Sequence, residues 1–285
     1  MHNVLILGKG SYIGESIYKW LNNYSTLYKV DIVSTMNYEW KQVDFSLYET
    51  VIDLAGIAHI NNITEDMKPL FYSVNRDLTI EIGKYAKEHG VKHLIYFSSM
   101  NVYGDFCPNI TERDVEKPTS FYGDSKYQGD LGLYELEDDT FVVAHVRPPF
   151  VYGKGCKGNY NTISKIARKT PVFPTISNNK SMIYIDNLCE FIRLVIDSRL
   201  GGILTPQNKE LVSTSMLVKE IAKVNNHKVW FISIFNPIIR FLRKYNRTIQ
   251  RAFGDDSYYL SISNYFENKY CVVDFKSSVI ATEQE

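Results

Sequence analysis

Tyr122-Gly123-Asp124-Ser125-Lys126 sets a phenol and an ammonium four residues apart, one turn from each other on one helix face. A lysine ammonium held near a phenol favours the phenolate, so the tyrosine pKa is expected to fall from about 10 toward neutrality. Tyr122 then becomes an acid/base at physiological pH. Ser98-Ser99 lies about one element upstream. A serine hydroxyl at a neighbouring strand end can hydrogen-bond the same substrate oxygen. Chance Tyr-x-x-x-Lys pairs are expected in a chain with 21 tyrosines, so the motif takes its weight from what precedes it.

Asn3-Val4-Leu5-Ile6-Leu7 is an apolar run that reads as a buried parallel strand. Gly8-Lys9-Gly10-Ser11-Tyr12-Ile13-Gly14 follows, and then a helical pattern with Ile13, Ile17, Trp20 and Leu21 on one side. Strand, glycine turn and helix form the context a dinucleotide fingerprint requires. The glycines permit a tight turn and close approach of a pyrophosphate, which sits on the helix N-terminus. The rest of 1–148 alternates likewise, with strands expected near 29–33, 51–54, 93–98 and 141–146 and helices near 12–23, 76–89 and 120–136. That alternation predicts an α/β fold with a parallel sheet and right-handed crossovers. Gly8, Ala55 and Ser98-Ser99 all fall at carboxyl ends of strands, where such sheets bind ligands.

Taken in order, these blocks resemble the extended short-chain dehydrogenase/reductase family in its nucleotide-sugar epimerase/dehydratase branch. The family loop Gly-x-x-Gly-x-x-Gly maps onto Gly8, Ser11 and Gly14, with serine where the middle glycine is usual. The match continues through Asp44, Leu54-Ala55-Gly56, Asn75, Ser98-Ser99, Tyr122/Lys126, Arg147-Pro148-Pro149-Phe150-Val151-Tyr152-Gly153 and Met182-Ile183-Tyr184-Ile185-Asp186-Asn187. The resemblance implies a doubly wound Rossmann domain over 1–148, with 180–202 returning to it. A smaller mixed α/β substrate domain would span 149–179 and 203–285. It implies cofactor contacts from Gly8, Gly10, Ser11, Tyr12, Ile13, Gly14, Ser34, Asp44 at the adenine edge, Phe45, Leu54, Ala55, Gly56, Ser98, Tyr122, Lys126 and Pro149, with Asn75 as a brace. It implies substrate contacts from Ser99, Met100, Asn101, Asn159, Phe173 and Lys180, wall positions for Tyr103 and Tyr152, and His59 at the pocket mouth; for Asn159, Phe173 and Lys180 a packing or surface role is equally open. Arg147 reads as structural. Family members usually pair as homodimers, and Leu78, Ile82, Tyr85 and Ala86 at helical spacing are a weak sign of such an interface.

The residues after Ser99 narrow the reaction. A 4,6-dehydratase of this type needs an Asp-Glu pair there, and this chain has Met100-Asn101. Methionine cannot protonate a leaving hydroxyl and asparagine cannot act as a base. Decarboxylating relatives keep a glutamate at 101, and 3,5-epimerase/reductases of the fucose-synthase type a cysteine at 100. What remains needs only Ser99, Tyr122, Lys126 and a nicotinamide: a UDP-hexose-type 4-epimerase, or a 4-ketoreductase. A non-catalytic nucleotide-binding member is a third reading, against which the intact Ser/Tyr/Lys set argues. NAD is favoured narrowly. The acidic residue that normally takes the ribose hydroxyls is replaced by Ser34 or Thr35, Asp31 lies too early in the strand, and Lys9 is available to a 2′-phosphate, so NADP stays open.

Lys plus Arg equals Asp plus Glu at 32 each, which gives no sign of a nucleic-acid surface. Cys107, Cys156, Cys189 and Cys271 are widely spaced, as expected of reduced thiols in a cytoplasmic protein without a metal site. The first strand begins at once, leaving no room for a signal peptide, and no apolar run reaches the ~18 residues of a membrane span. The apolar then basic run 229–245 admits a monotopic membrane contact. The reading favoured is a strand to Ile234, then a helix opened by Asn236-Pro237 that packs its apolar face inward. The tail 281–285 is expected to fray.

Overall fold

The computed structural model describes residues 1–58 and 64–284; His59 lies outside the described residues. Strand β1 (His2–Leu7) alternates its side chains between two cores, which shows that both faces of the sheet are covered. Val4 and Ile6 belong to one cluster with Ile17 and Leu21, and Leu5 and Leu7 to another with Ile82, Leu94 and Leu133. This period of two on two buried faces is why the strand reads as a continuous apolar run. Helix α1 (Tyr12–Asn22), β2 (Tyr28–Val33) and β3 (Thr50–Asp53) follow. Next come α2 (Lys68–Tyr72), α3 (Thr79–Glu88), β4 (His93–Phe97), α4 (Phe121–Tyr134) and β5 (Val142–Val146).

The main sheet is parallel throughout, in the order β2-β1-β3-β4-β5-β9, where β9 is Gly202–Leu204. The direction of winding reverses between β1 and β3, so the crevice for a ligand opens at the carboxyl ends of those two strands. The sixth strand, β9, follows α6 (Ile185–Ser198), which packs on α1. Beyond β5 the chain forms β6 (Phe150–Tyr152), α5 (Asn159–Ala167), β7 (Val172–Pro174) and β8 (Met182–Tyr184). After β9 come α7 (Thr214–Val224), β10 (Trp230–Ile232), α8 (Asn236–Leu242), α9 (Arg247–Phe253) and α10 (Phe275–Glu283). Two short parallel pairs, β6 with β8 and β7 with β10, tie these segments together.

Four expectations change. The helix foreseen at 76–89 starts at Lys68 and passes through a π-helical turn, Ser73–Leu78, before α3. Its stripe is used inside the protein: Ile82 and Ala86 are fully buried, Leu78 packs on the same core, and Tyr85 stands edge-on to Trp40 and Phe45. Ile82 and Ala86 are therefore not available to a partner copy. The C-terminal end is helical to Glu283, whose carboxylate accepts hydrogen bonds from Ser164, Arg168 and Asn225. Finally, α8 opens at Asn236-Pro237 as expected but buries none of its residues.

Candidate active site

The loop between β1 and α1 is built by close backbone contact. Ser11, the residue in the middle-glycine position, caps α1, its Oγ accepting the Gly14 N–H at 3.0 Å. A β-carbon on Gly14 would lie 2.5 Å from the Gly8 carbonyl oxygen, so no other residue fits there without displacing the strand end. Gly10 has a φ of 81° and nothing within 4 Å of a β-carbon position, which leaves its side open to an approaching group. Its amide donates to the Glu15 carboxylate at 2.9 Å. An anionic group thus already occupies this amide at the helix N-terminus, and a diphosphate fits the same chemistry. Tyr12 and Ile13 pack against the core on the α6 side.

At the end of β2, Ser34 Oγ accepts the Met36 N–H. The Gly8 and Lys9 amides both donate to the Val33 carbonyl, so the Lys9 backbone lies beside the Ser34 position. Asp31 lies inside the strand opposite Leu5 and accepts the Tyr48 hydroxyl at 2.9 Å. Asp44 is spent locally. Its Oδ1 accepts the Ser46 N–H and hydroxyl, which holds its pKa below the usual carboxylate value. Phe45 is buried against Trp40 and Tyr85, so its side chain is a core element and not a cofactor contact.

After β3 the turn Leu54-Ala55-Gly56 closes over the glycine loop, with Leu54 Cδ1 2.9 Å from a β-carbon built on Gly8. Asn75, on the π-helical turn, accepts the Ile57 N–H at 2.7 Å and donates to the Ser125 hydroxyl at 3.0 Å. It therefore braces this turn to α4. Lys126 reaches the same place from α4. Its Nζ donates to the carbonyls of Ala55 (3.0 Å) and Phe97 (2.9 Å) and lies over the Tyr96 ring. Burial lowers its pKa to about 8, with Asp53 and Asp130 pulling the other way.

Ser99 stands just past β4 and caps the turn Met100–Tyr103, its Oγ accepting the Asn101 N–H at 3.2 Å. Tyr122 sits in the first turn of α4, capped by Ser120. The fold brings the two hydroxyls together. The expected depression of the tyrosine is absent, however: burial raises its pKa, and only the neighbouring Ser99 hydroxyl opposes this. The Lys126 side chain runs instead to the Ala55 and Phe97 carbonyls, and it is not among the groups that shift the phenol.

Beneath the pair lies a charged network whose centre, Asp130, His145 and Arg147, is fully buried. Ser98 donates to Asp130 Oδ2 at 2.8 Å, which directs its side chain away from the crevice. His145 and Arg147 reach the same carboxylate at 2.9 and 3.0 Å. Arg147 also pairs with Glu116 at 2.6 Å and donates to the Tyr103 hydroxyl, and His145 contacts Glu137 at 2.8 Å. Burial raises the Asp130 pKa, but His145 and Arg147 outweigh it and hold the carboxyl below its ordinary value. Asp53, also fully buried, is pushed up to about 6 by burial, and its Oδ2 has no partner. Asp53 and Asp130 were missed from the sequence. The available signals were an acid closing an apolar strand and the i, i+4, i+8 series Tyr122, Lys126, Asp130.

The expected substrate contacts scatter. Met100 is buried with Val102, Tyr103, Ile110 and Tyr258. Asn101 stays at the site, donating to Asp105 Oδ1 at 3.3 Å. Pro149 is buried between β5 and β6. Phe173 packs against Phe231 and Phe253 and belongs to the core. Asn159 is exposed at the start of α5. Lys180 is half-buried. Burial lowers its pKa against the pull of Asp256 and Asp255. Tyr152 is buried and bonded to Ser278 and Asn208. Among the described residues no group of His, Cys, Asp and Glu could hold a metal ion, and all four cysteines are free.

The sequence matches the NAD dependent epimerase/dehydratase family over residues 4–203. A UDP-glucose 4-epimerase of Vibrio cholerae is 30% identical over 195 residues, 65% of this chain and 59% of that protein. An N-acetyl-α-D-glucosaminyl-diphospho-ditrans,octacis-undecaprenol 4-epimerase of Escherichia coli O157:H7 is 29% identical over 191 residues, 64% of this chain and 56% of that protein. The matched part is thus less than two thirds of either relative's length. Among solved structures, a UDP-glucuronic acid 4-epimerase from Bacillus cereus in complex with UDP-glucuronic acid and NAD superposes with a TM-score of 0.74 at 16% identity, covering 99% of this chain and 98% of that one. A dTDP-4-dehydrorhamnose reductase from Clostridium acetobutylicum does so at 0.73 and 18%, covering 98% of each chain. Both share the fold.

Proposed function

We propose that this chain, which belongs to the NAD dependent epimerase/dehydratase family, inverts the C4 carbon of a sugar diphosphate, with a UDP-hexose as the first substrate to test. The observation that carries the reading is that Tyr122 on α4 and Ser99 at the end of β4 stand by the turn after β3, which Lys126 holds and which packs on the anion-accepting glycine loop. Both curated relatives named above are 4-epimerases of sugars joined to a diphosphate. A nicotinamide, when bound, accepts a hydride from the sugar carbon and returns it. Tyr122 takes the C4 hydroxyl proton, while Ser99 donates to the same oxygen and holds it in line. Lys126 anchors the turn after β3, beside which a nicotinamide ribose would be held, and would supply a positive charge there. After the 4-keto sugar turns about its diphosphate linkage, Tyr122 gives the proton back to an oxygen presented by the opposite face. Buried Met100 and an amide-bearing Asn101 offer no second acid or base, which argues against elimination at C5 and C6.

A 4-ketoreductase using NADPH is the second reading, favoured by Ser34 at the end of β2 with Lys9 beside it. The deciding experiment is incubation with UDP-glucose, UDP-N-acetylglucosamine and a 4-keto-6-deoxy sugar nucleotide, each with and without NADPH, followed by product NMR. Inversion of a UDP-sugar without added NADPH supports the epimerase. Product formed only from the keto sugar and NADPH overturns it.

The loop and the end of β2 set expectations for binding. A carboxylate near a helix N-terminus is worth about 0.3–1 kcal/mol to the free protein, a gain that a pyrophosphate must displace. Glu15→Gln is therefore expected to tighten dinucleotide binding by about 2- to 5-fold in calorimetry. Unchanged or weaker binding would remove Glu15 from the diphosphate site. Ser34→Asp is expected to move the ratio of affinities toward NAD, because a carboxylate accepts both ribose hydroxyls and repels a 2′-phosphate. Lys9→Ala should weaken NADP selectively. In the unaltered protein we expect NAD to bind at least as well as NADP. A preference for NADP above ~10-fold, about 1.4 kcal/mol, would reverse that and place the reductase first.

A further inference from the structure

The segment 221–254 carries seven lysines and arginines and no acidic residue, in a chain whose net charge is zero. Its middle is apolar. Ile234, Ile238, Phe241 and Tyr245 recur at helical spacing along α8 and its ends, with relative exposures of 75, 56, 60 and 76%. Phe235 and Leu242 widen the same stripe. A soluble helix of this composition normally turns such a stripe inward, yet α8 has no buried residue. Exposed Arg240 and Lys244 lie on the same helix and the turn after it, and Arg251 on α9 is also exposed. Two other cations of the segment are engaged: Arg247 pairs with Asp105, and Arg243 lies 4.0 Å from Asp255.

We propose that α8, with α9 behind it, docks this protein on an anionic lipid surface. A short stripe of aromatic and branched side chains rimmed by Lys and Arg is the pattern of a helix lying in the plane of a bilayer interface. The apolar stripe enters the headgroup boundary, and the basic residues sit at the level of the lipid phosphates, where each adds to binding and is screened by salt. A second copy of the chain fits less well, because a two-fold contact through this face would set Arg240 and Lys244 against their own equivalents. The surface is also linked to the crevice. Arg247 of α9 holds Asp105, which accepts from Asn101, whose amide is bonded to Ser99. Docking stands on this surface alone and does not depend on which reaction the crevice performs.

Flotation of the full chain with vesicles tests the proposal. Vesicles of phosphatidylcholine with an equal share of phosphatidylglycerol are expected to carry the protein upward, and vesicles of phosphatidylcholine alone are not. Raising the salt concentration should release it. Arg240→Glu/Lys244→Glu and Ile238→Ser/Phe241→Ser should each weaken vesicle binding at least ~10-fold. Both pairs are exposed, so the thermal midpoint and turnover of a soluble sugar nucleotide should be unchanged. Failure to float with either vesicle, or equal flotation of the charge-reversed variant, overturns the proposal. So does light scattering in which Ile238→Ser/Phe241→Ser converts a dimer to a monomer while vesicle binding is unaltered, since a second copy would then be the occupant. If a variant fails to fold, the lipid and salt dependence of the unaltered chain decides alone. Loss of flotation with intact turnover separates this inference from the proposed reaction.

Discussion

Tyr122→Phe is expected to lower turnover at least ~10²-fold, the low end of what a positioned acid/base contributes, while dinucleotide affinity stays nearly unchanged. The ring is half-buried in the first turn of α4, and phenylalanine keeps its packing and removes only the hydroxyl. Ser99 cannot substitute, because an aliphatic hydroxyl is far too weak an acid to cycle a proton near neutral pH. The neighbouring charge does not rescue the variant either, since the Lys126 ammonium is held by the Ala55 and Phe97 carbonyls. The companion Lys126→Ala should act differently, losing dinucleotide affinity along with turnover because it frees both carbonyls. In the unaltered protein that lysine is protonated below about 8 and neutral above. Its contribution to binding should therefore fade as pH rises through that value, and the fading should be missing from the alanine variant. Near-normal turnover of Tyr122→Phe on the correct substrate would sink the proton-transfer role.

Asp130→Ala is expected to cost about 3–5 kcal/mol of folding stability, the range for removing one partner of a buried ion pair. The carboxylate is wholly buried and is shared by Ser98, His145 and Arg147, so its loss leaves two buried cationic groups under-compensated. Glu116→Gln should cost much less, because that side chain reaches solvent and Asp130 still faces the guanidinium. The same network sets a pH signature. Burial lowers the His145 pKa, but the bonds to Asp130 and Glu137 outweigh it and hold the value above its usual 6.5. Its contribution is thus fully present below about 6.5 and is lost as pH rises through the raised value. Asp130 is depressed, so its contribution is present above the ordinary carboxylate range and is lost as pH falls through the lowered value. Urea unfolding across pH should show both limbs in the unaltered protein; in Asp130→Ala the acid limb should be missing and the His145 limb smaller, since Glu137 still faces the ring. A variant as stable as the parent would mean the network is solvated in solution.

Five strands of the main sheet and its ligand-bearing ends were legible because local patterns specify them, whereas the short β9 at Gly202–Leu204 was not. Val4 to Leu7 is apolar on both faces, Gly8 to Gly14 is a turn that only small residues permit, and Ser11 is a helix cap by type. The order Ser99, Tyr122, Lys126 and the absence of an acid at 100 and 101 likewise needed no coordinates. What a residue's neighbours do was not legible. Phe45 and Phe173 read as contacts on their motif positions, yet the space beside each is filled by other aromatic rings. Leu78, Ile82, Tyr85 and Ala86 form the same stripe whether a sheet or a partner covers it, and only the position of Trp40 and Phe45 decided for the core. The run 229–245 shows the opposite outcome: an inward stripe by pattern, left outside because, among the described residues, no element covers that stripe of α8. The pKa of Tyr122 belongs to the same class. Helical spacing places a lysine one turn away, but its side chain is drawn to carbonyls of β4 and of the turn after β3, distant in sequence, and burial raises the phenol. Periodicity and turn chemistry act over a few residues and are written in the sequence, whereas burial, charge pairing and the covering of a face depend on which distant segments meet there.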